Sequence, residues 1–236
     1  MYILEGNTGV GKSTFLKLLA QHCPDVHVIP EPKDSWAAGF HGRSLLGNFY
    51  DDRQRWAYTM ETFTMACRVK EHAKEQADPN PNRVMERSVY SGHFCFALNG
   101  QKDGMFNNIE WDIYKQWVDF LMRKACKPPL GFIYLKAQPE VCFGRIQKRN
   151  RAGEENITLE YMKQIDFWHD KFLLEKDGIF PELKSVPVLI IDCNQDFVQD
   201  TSRMQENARR VAEFLKQTQS AAPIPTEQRY TAASLF

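Results

Sequence analysis

The sequence lacks the features of proteins that bind nucleic acid, span a membrane or hold structural zinc. Its 30 Lys and Arg residues balance 30 Asp and Glu residues, so the formal net charge of 0 provides no general attraction to a polyanion. No apolar run reaches the roughly 20 residues that a membrane helix needs. The six cysteines stand singly, with no CxxC pair or Cys/His cluster, which favours reduced thiols. We therefore expect no nucleic-acid or membrane partner, and a reducing compartment.

Short apolar runs instead alternate with longer helical patterns along the 236 residues. The runs at 2–5, 26–29, 83–86, 131–135 and 186–192 are brief and rich in β-branched or aromatic residues, which predicts buried parallel strands. Helices are predicted at about 12–22, 53–77, 109–126, 138–148, 158–175 and 200–216. Because parallel strands need crossover connections, this pattern predicts an α/β fold, a five-stranded parallel sheet with helices on both faces.

The sequence gives no indication of a second domain. Without an internal repeat, residues 1–219 are predicted to form a single domain, and the segment 220–236, with two prolines and little periodicity, is predicted to be a tail outside the core. The first predicted strand begins at Tyr2, which leaves no room for a signal or transit peptide. A cytoplasmic protein is therefore expected.

The motif GNTGVGKST at 6–14 follows the first predicted strand and opens the first predicted helix. Its glycines let backbone N–H groups and the helix N-terminus point at phosphate oxygens. Lys12 then reaches the β and γ phosphates, and the Ser13 hydroxyl is placed for Mg²⁺. The motif predicts a nucleoside triphosphate site, with ATP as donor, made of Gly6, Asn7, Thr8, Gly9, Val10, Gly11, Lys12, Ser13 and Thr14.

The rest of the chain favours a small molecule as the phosphate acceptor. An NKxD-type guanine signature is absent, and the third strand ends in MERS, which is followed by a predicted helix and not by a switch glycine. A small-molecule kinase is therefore favoured over a GTPase switch.

Six landmarks in order resemble the deoxynucleoside kinase family, which holds deoxycytidine, deoxyguanosine and mitochondrial-type thymidine kinases. They are the phosphate loop, Glu31-Pro32, Tyr50 with Trp56, ERSVYS at 86–91, an Arg-rich lid at about 145–157, and VPVLIIDCNQDF at 186–197. The resemblance runs from Tyr2 to about Phe197. It implies a P-loop kinase fold, transfer of phosphate from ATP with Mg²⁺ to the 5′-hydroxyl of a deoxynucleoside in nucleotide salvage, and a homodimer.

The resemblance also assigns roles in the transfer. Glu31 is the base that takes the proton of the 5′-hydroxyl. Glu86 helps Ser13 to hold Mg²⁺, directly or through water, and Arg87 contacts the 5′-oxygen and the transferred phosphoryl group. The lid arginines, whose guanidinium groups suit phosphate oxygens, are Arg145, Arg149 and Arg151.

Further residues are implied for the sugar, the base and the donor adenine. Tyr50 binds the 3′-hydroxyl together with Glu154 or Glu155, of which Glu155 is favoured. Asp196 and Phe197 resemble the loop that cradles the donor adenine. The predicted walls of the base pocket are Trp36, Leu46, Phe49, Phe63 and Phe96.

The predicted base pocket departs from the family twice. Glu61 stands where most members carry a glutamine that hydrogen-bonds the base. Arg68 matches an arginine of the deoxycytidine and deoxyguanosine kinases, but Gly92 replaces the aspartate that normally faces this arginine. Glu61 and Arg68 are two helical turns apart, so their charges could meet or bracket one base.

Hydrogen-bond logic then ranks the bases. An ionised carboxylate only accepts, and guanine presents two adjacent donors where cytosine and adenine present one. We therefore expect a purine-tolerant pocket with deoxyguanosine favoured, and Arg68 donating to guanine O6 or N7. A protonated Glu61 would mimic glutamine, and the small Gly92 leaves a broad-specificity or pyrimidine kinase open. A thymidylate-type monophosphate kinase and a catalytically silent structural member are the remaining alternatives.

Overall fold

The computed structural model describes residues 1–32, 44–151 and 154–221. Of residue 221 it describes only the backbone. Trp36, one of the predicted base-pocket walls, lies outside the described residues. So do 152–153 of the predicted lid and 222–236 of the predicted tail.

The described chain forms the predicted five-stranded parallel sheet. Its strands are β1 (Tyr2–Glu5), β2 (His27–Ile29), β3 (Arg83–Glu86), β4 (Phe132–Lys136) and β5 (Val188–Asp192), in the order β2-β3-β1-β4-β5. The central strand β1 has β3 on one side and β4 on the other, and the chain fills the β2 and β3 side before it crosses to β4 and β5. Such a switch point opens a crevice at the carboxyl edge of the sheet, where open α/β folds bind ligands.

Helices surround the sheet, and three of them contain a π-helical stretch. The simple helices are α1 (Lys12–His22), α2 (Leu45–Asp51), α3 (Arg53–Gln76), α6 (Pro139–Arg149) and α8 (Thr201–Ala221). The others are α4 (Val89–Ser91, π-helical Gly92–Ala97, Leu98–Lys102), α5 (Asn108–Trp117, π-helical Val118–Met122, Arg123–Ala125) and α7 (Leu159–Asp170, π-helical Lys171–Glu175). A short 3₁₀ turn covers Pro181–Leu183.

The helices differ from the predicted ones in two places. Helix α2 was not predicted, because seven residues containing one glycine give too short a periodic pattern. Helix α8 continues to Ala221, two residues into the predicted tail, because the stretch before the first proline of the tail still permits helical hydrogen bonds.

The core is divided by the sheet, which explains why the strands are apolar on both faces. Tyr2 and Leu4 of β1 pack in one cluster with α1, α6, α8 and part of α7, whereas Ile3 between them packs in the other cluster with α3, α4 and α5. Successive strand residues point to opposite faces, so this alternation places helices on both sides. The predicted fold class is confirmed.

Side-chain caps set where the helices that border the crevice begin. The Asp52 carboxylate accepts from the N–H of Arg55 (3.0 Å) and so separates α2 from α3. The Ser88 hydroxyl accepts from the N–H of Ser91 (3.1 Å) directly after β3. These caps fix the two turns from which Tyr50 and Arg87 reach the crevice.

Candidate active site

The phosphate loop follows β1 at the centre of the carboxyl edge. Gly6, Gly9 and Gly11 have positive φ, a backbone conformation that is unfavourable for residues with a Cβ atom. At Gly9 a Cβ would lie 2.5 Å from the carbonyl oxygen of Cys142 on α6. The loop therefore needs glycine for both its backbone conformation and its close packing.

Side chains of the loop hold it in a closed curve. The Lys12 ammonium, 6% exposed, donates to the carbonyl oxygens of Gly6 and Asn7, both at 2.8 Å. The Asn7 amide donates to the carbonyl of Met162 on α7 (2.9 Å), while its oxygen accepts from the N–H of Thr8 (2.8 Å). The lysine charge therefore lies within the loop that is shaped to receive phosphate oxygens.

The two predicted magnesium ligands are in contact. The Ser13 hydroxyl at the start of α1 donates to Oε1 of Glu86 at the end of β3, at 2.8 Å. A hydroxyl and a carboxylate suit Mg²⁺, which takes one or two protein oxygens and completes its shell with water and phosphate. Across the described residues, no group of three or more His, Cys, Asp or Glu is placed to hold a metal. A magnesium ion at Ser13 and Glu86 would therefore need the nucleotide as a further ligand.

Glu31 lies beside the phosphate loop with an arginine at each carboxylate oxygen. Nη2 of Arg68 is 2.8 Å from its Oε1, and Nε of Arg87 is 3.5 Å from its Oε2. Arg87 has φ +64°, uncommon for a residue with Cβ, and its Nη2 donates to the Thr8 hydroxyl at 3.3 Å. Arg87 thus connects the predicted base to the phosphate loop.

The structure corrects the expected pairing of Arg68. Within the described residues no salt bridge joins Arg68 to Glu61, and the guanidinium instead turns toward Glu31. At Gly92 a Cβ would lie 2.8 Å from Nη1 of Arg68. The arginine therefore occupies the space that the missing side chain at position 92 leaves.

Glu61 lines a small cavity together with two of the predicted pocket walls, Phe49 and Phe96. Burial raises the pKa of Glu61 to about 7, although the charges of Arg68 and Arg87 oppose the shift. The other predicted walls, Leu46 and Phe63, are partly buried against the core outside this lining. Lining residues that the sequence did not identify are Ala57, Asn99, Gly100, Met105, Phe106 and Tyr161.

The lid turns Glu154 inward and leaves Glu155 exposed. Glu154 is 8% exposed and pairs with Arg149 (2.6 Å) and Arg151 (3.8 Å). Burial and then the nearby Glu154 carboxylate raise the pKa of Tyr50 to about 12. The geometry thus favours Glu154 over Glu155 as the carboxylate near the predicted sugar site, because α7 and its preceding turn set the direction of each side chain.

Arg145 and the segment after β5 border the other end of the phosphate loop. The Arg145 guanidinium donates to the carbonyl oxygens of Val10 and Gln195, both at 3.3 Å. Phe197 is 3% exposed and packs edge-on against Phe15, with ring centroids 5.7 Å apart. Asp196 is exposed, so this segment would meet a donor base through Asp196 and the backbone, and not through the Phe197 ring.

One buried acid near the site was missed. Glu5 ends β1 with no exposed surface, accepts a hydrogen bond from the Ser88 hydroxyl, and has its pKa raised by burial. The sequence signal was a carboxylate at the end of an otherwise apolar strand. It directly precedes Gly6 of the phosphate loop and joins the end of β1 to the turn after β3 through Ser88.

Comparisons with known proteins identify the family of the chain. The family model described as "Deoxynucleoside kinase" matches residues 2–216. The chain is 35% identical to deoxycytidine kinase 2 of Gallus gallus, over 90% of this chain and 89% of that one. It is 32% identical to the mitochondrial deoxyguanosine kinase of Xenopus laevis (90% and 88%) and 30% identical to the mitochondrial thymidine kinase 2 of Homo sapiens (88% and 76%).

These matches cover the strands, the phosphate loop and the residues around Glu31 in one alignment of nearly the whole chain. Among the helices of the described residues, none is both long and apolar enough to cross a membrane. Proteins of the matching family transfer phosphate from a nucleoside triphosphate to a nucleoside. The chain therefore belongs to the deoxynucleoside kinase family and is a phosphotransferase.

Proposed function

We propose that this kinase phosphorylates the 5′-hydroxyl of a deoxynucleoside with Glu31 as general base. The 5′-oxygen forms a bond to the γ-phosphorus of ATP, the bond from that phosphorus to the bridging oxygen breaks, and ADP leaves with the electron pair. The hydroxyl proton passes to the Glu31 carboxylate. The observation that carries this proposal is Arg87, which contacts both Glu31 (3.5 Å) and Thr8 of the phosphate loop (3.3 Å).

Charge on the transferring group is balanced by residues from three directions. Lys12 comes from the loop, Arg87 from the end of β3, and Arg145, Arg149 and Arg151 from α6 and the lid. Ser13 and Glu86 would hold Mg²⁺, which when bound neutralises charge on the phosphate oxygens. The fixed guanidinium forks keep their charge at any working pH.

The replacement Glu31→Gln tests this role. It is expected to lower kcat by about 10²- to 10⁴-fold while ATP binding stays unchanged. The matched control is Glu213→Gln, an exposed acid on α8. A kcat within tenfold of the wild type would contradict Glu31 as the base.

A substrate panel separates the classes of activity. Phosphorylation of deoxynucleosides but not of dTMP supports the proposal. Turnover of dTMP without thymidine would indicate a thymidylate-type monophosphate kinase. Absence of turnover with all four deoxynucleosides would indicate a structural subunit.

For the base, we propose a purine-tolerant pocket with deoxyguanosine favoured. Glu61 is buried and lines the same cavity as Phe49 and Phe96, whose rings offer stacking area to a planar base. When ionised it only accepts hydrogen bonds, which suits the two adjacent donors of guanine. Arg68 forms a salt bridge with Glu31, so we assign the base preference to Glu61 alone. The hydrogen bond from Arg68 to guanine O6 or N7 is therefore not proposed.

A broad-specificity or pyrimidine kinase is the second candidate. It is favoured by the small Gly92, and by a Glu61 whose pKa of about 7 leaves a large protonated fraction that acts like glutamine. Relative kcat/KM for deoxyguanosine and deoxycytidine in wild type and Glu61→Gln decides between them. An unchanged ratio would contradict the purine proposal.

For the sugar, we propose that Tyr50 and Glu154 bind the 3′-hydroxyl. Glu154 is the buried lid carboxylate, and its charge affects the Tyr50 hydroxyl. Its two arginine partners hold it in place.

We also propose that the enzyme is a homodimer formed through α5. Ile109, Ile113, Trp117 and Phe120 are between 41% and 73% exposed and recur at helical spacing on one face. Contiguous apolar surface of this kind is typical of protein interfaces. Sedimentation of Trp117→Glu should give a monomer, whereas Val198→Glu, at an exposed apolar site elsewhere, should not. A Trp117→Glu dimer would exclude this face.

Finally, we propose the cytoplasm as the location. All six cysteines lie in described residues and none forms a disulfide, which fits a reducing compartment. Imaging of the tagged full chain with a mitochondrial marker separates cytoplasmic from mitochondrial enzyme.

A further inference from the structure

Arg68 lies between two parts of the site. It stands on α3 two turns after Glu61, which lines the base cavity, yet its guanidinium bonds Oε1 of Glu31 at 2.8 Å. Arg87 approaches the other oxygen, Oε2, at 3.5 Å. The carboxylate is therefore held at both oxygens, and its side chain is only 5% exposed.

Gly92 makes this contact sterically possible. The residue has ordinary helical angles, φ −52° and ψ −49°, so its backbone does not require glycine. Glycine is less favourable than alanine inside a helix. A Cβ at this position would lie 2.8 Å from Nη1 of Arg68. The glycine thus provides space for the guanidinium and no backbone advantage.

We propose that Arg68 is a positioning residue for the transfer step, which fixes the Glu31 carboxylate from the side opposite Arg87, and that Gly92 is the position that permits it. The inference rests on the proposed role of Glu31 as the base. The hydrogen bond from Arg68 and the ion-pair contact with Arg87 together restrict rotation of the carboxylate about its last side-chain torsion. The carboxylate then meets the 5′-hydroxyl in one orientation beside the phosphate loop.

This role differs measurably from reading the base. A residue that acts through Glu31 affects every deoxynucleoside by the same factor, since the 5′-hydroxyl is common to all of them. A residue that hydrogen-bonds the base changes the ratios among deoxynucleosides. The effect of Arg68 is therefore expected in kcat for all four substrates, with their relative kcat/KM values nearly unchanged.

The central experiment is a double-mutant cycle between Arg68→Met and Glu31→Gln. Arg68→Met alone is expected to lower kcat about 10- to 100-fold with each of the four deoxynucleosides. In the Glu31→Gln background the same change is expected to cost less than about twofold, because the partner it positions is already gone. If Arg68→Met lowers kcat by the same factor in the wild type and in the Glu31→Gln background, the proposal is overturned.

Two further variants guard against a merely structural effect. Arg68→Lys keeps the charge and should recover most of kcat, whereas Gly92→Asp should lower kcat by placing a competing carboxylate beside the guanidinium. The matched control is Arg55→Met, an exposed arginine on the same helix, expected to leave kcat unchanged. Thermal unfolding of each variant shows whether the fold is intact.

The outcomes separate this inference from the proposed function. Full activity of Glu31→Gln would overturn the base assignment itself. An inactive Glu31→Gln with a fully active Arg68→Met would overturn only the role of Arg68. Changed base ratios at constant kcat, or an Arg68→Lys enzyme as impaired as Arg68→Met, would also overturn it.

Discussion

The phosphate end and the base end of the site are built in different ways. The phosphate loop at the first end comes from one stretch of chain, 6–14, whose shape is set by positive-φ glycines and by the hydrogen bonds of Lys12 to carbonyl oxygens of its own loop. The base cavity takes its lining from α2, α3, α4, α7 and the segment between α4 and α5. Local sequence therefore determines the first, and long-range packing determines the second.

The two ends also differ in how their charges are balanced. Ser13 and Glu86 contact each other at the phosphate end, and two arginines flank Glu31. In the base cavity the Glu61 carboxylate has no salt bridge within the described residues, and its pKa is about 7. The residues at the predicted phosphate end are thus held by fixed charge contacts, whereas Glu61 at the predicted base end can change its hydrogen bonding by gaining or losing one proton.

The largest expected effect is at Gly9. A Cβ there combines positive φ with a 2.5 Å approach to the Cys142 carbonyl, so Gly9→Ala should lower kcat/KM for ATP by at least about 100-fold. The control is Gly144→Ala on α6, where nothing lies within 4 Å of the added carbon. Steady-state kinetics should show no change for the control. Equal losses would mean that α6 and not the loop conformation is sensitive.

A smaller loss is expected at Ser13. Removing its hydroxyl in Ser13→Ala eliminates the contact with Glu86 and should lower kcat about 10- to 100-fold, with a higher Mg²⁺ concentration needed for half-maximal rate. Ser13→Thr keeps the hydroxyl and should retain activity. An unchanged Mg²⁺ dependence in Ser13→Ala would argue against a metal role for this residue.

Replacing the two lid carboxylates should change the KM for the deoxynucleoside by amounts that differ about tenfold. Glu154→Gln removes the buried charge near Tyr50 and is expected to raise KM for the deoxynucleoside about tenfold, the value of one charge-assisted hydrogen bond. The matched Glu155→Gln variant changes an exposed neighbour and should have little effect. The reverse order would restore Glu155 as the sugar ligand.

The smallest expected effect on activity concerns pH and base choice. Ionisation of Glu61 removes its donor, so raising the pH from 6 to 8 should increase the deoxyguanosine to deoxycytidine ratio of kcat/KM about fivefold, roughly 1 kcal/mol for one hydrogen bond. Glu61→Gln should abolish this dependence. The same slope in the variant would assign the titration to another group.

The stability of the same variant provides an independent measurement. Because burial raises the pKa of Glu61 from 4.5 to about 7, the folded chain binds more protons than the unfolded chain across this interval. The stability contributed by Glu61 therefore falls as the pH rises through it. The free energy of unfolding of Glu61→Gln should rise relative to wild type by up to about 3 kcal/mol between pH 4.5 and pH 8. A constant difference would contradict the buried, titrating carboxylate.

Much of the fold was predictable because its signals are local. Apolar runs placed all five strands to within two residues at each end, and the strand-loop-helix order placed the glycine-rich loop at the sheet edge. Helix α2 was missed because it is short. Glu5 was missed because a carboxylate at the end of an apolar strand marks an unusual position but does not specify its hydrogen-bond partner, Ser88. The inward direction of Glu154 depends on how α7 begins, which neighbouring residues alone do not specify.

The sequence by itself determined the fold class, the phosphate loop and the family, since each depends on residue types at fixed spacing along one chain. Only the tertiary structure decided that Arg68 bonds Glu31 and not Glu61, because both carboxylates are within reach of a long side chain. The space left at Gly92 and the position of Glu31, two residues after β2, select between them. Charge partners separated by many residues are chosen by packing, and packing is a property of the whole fold.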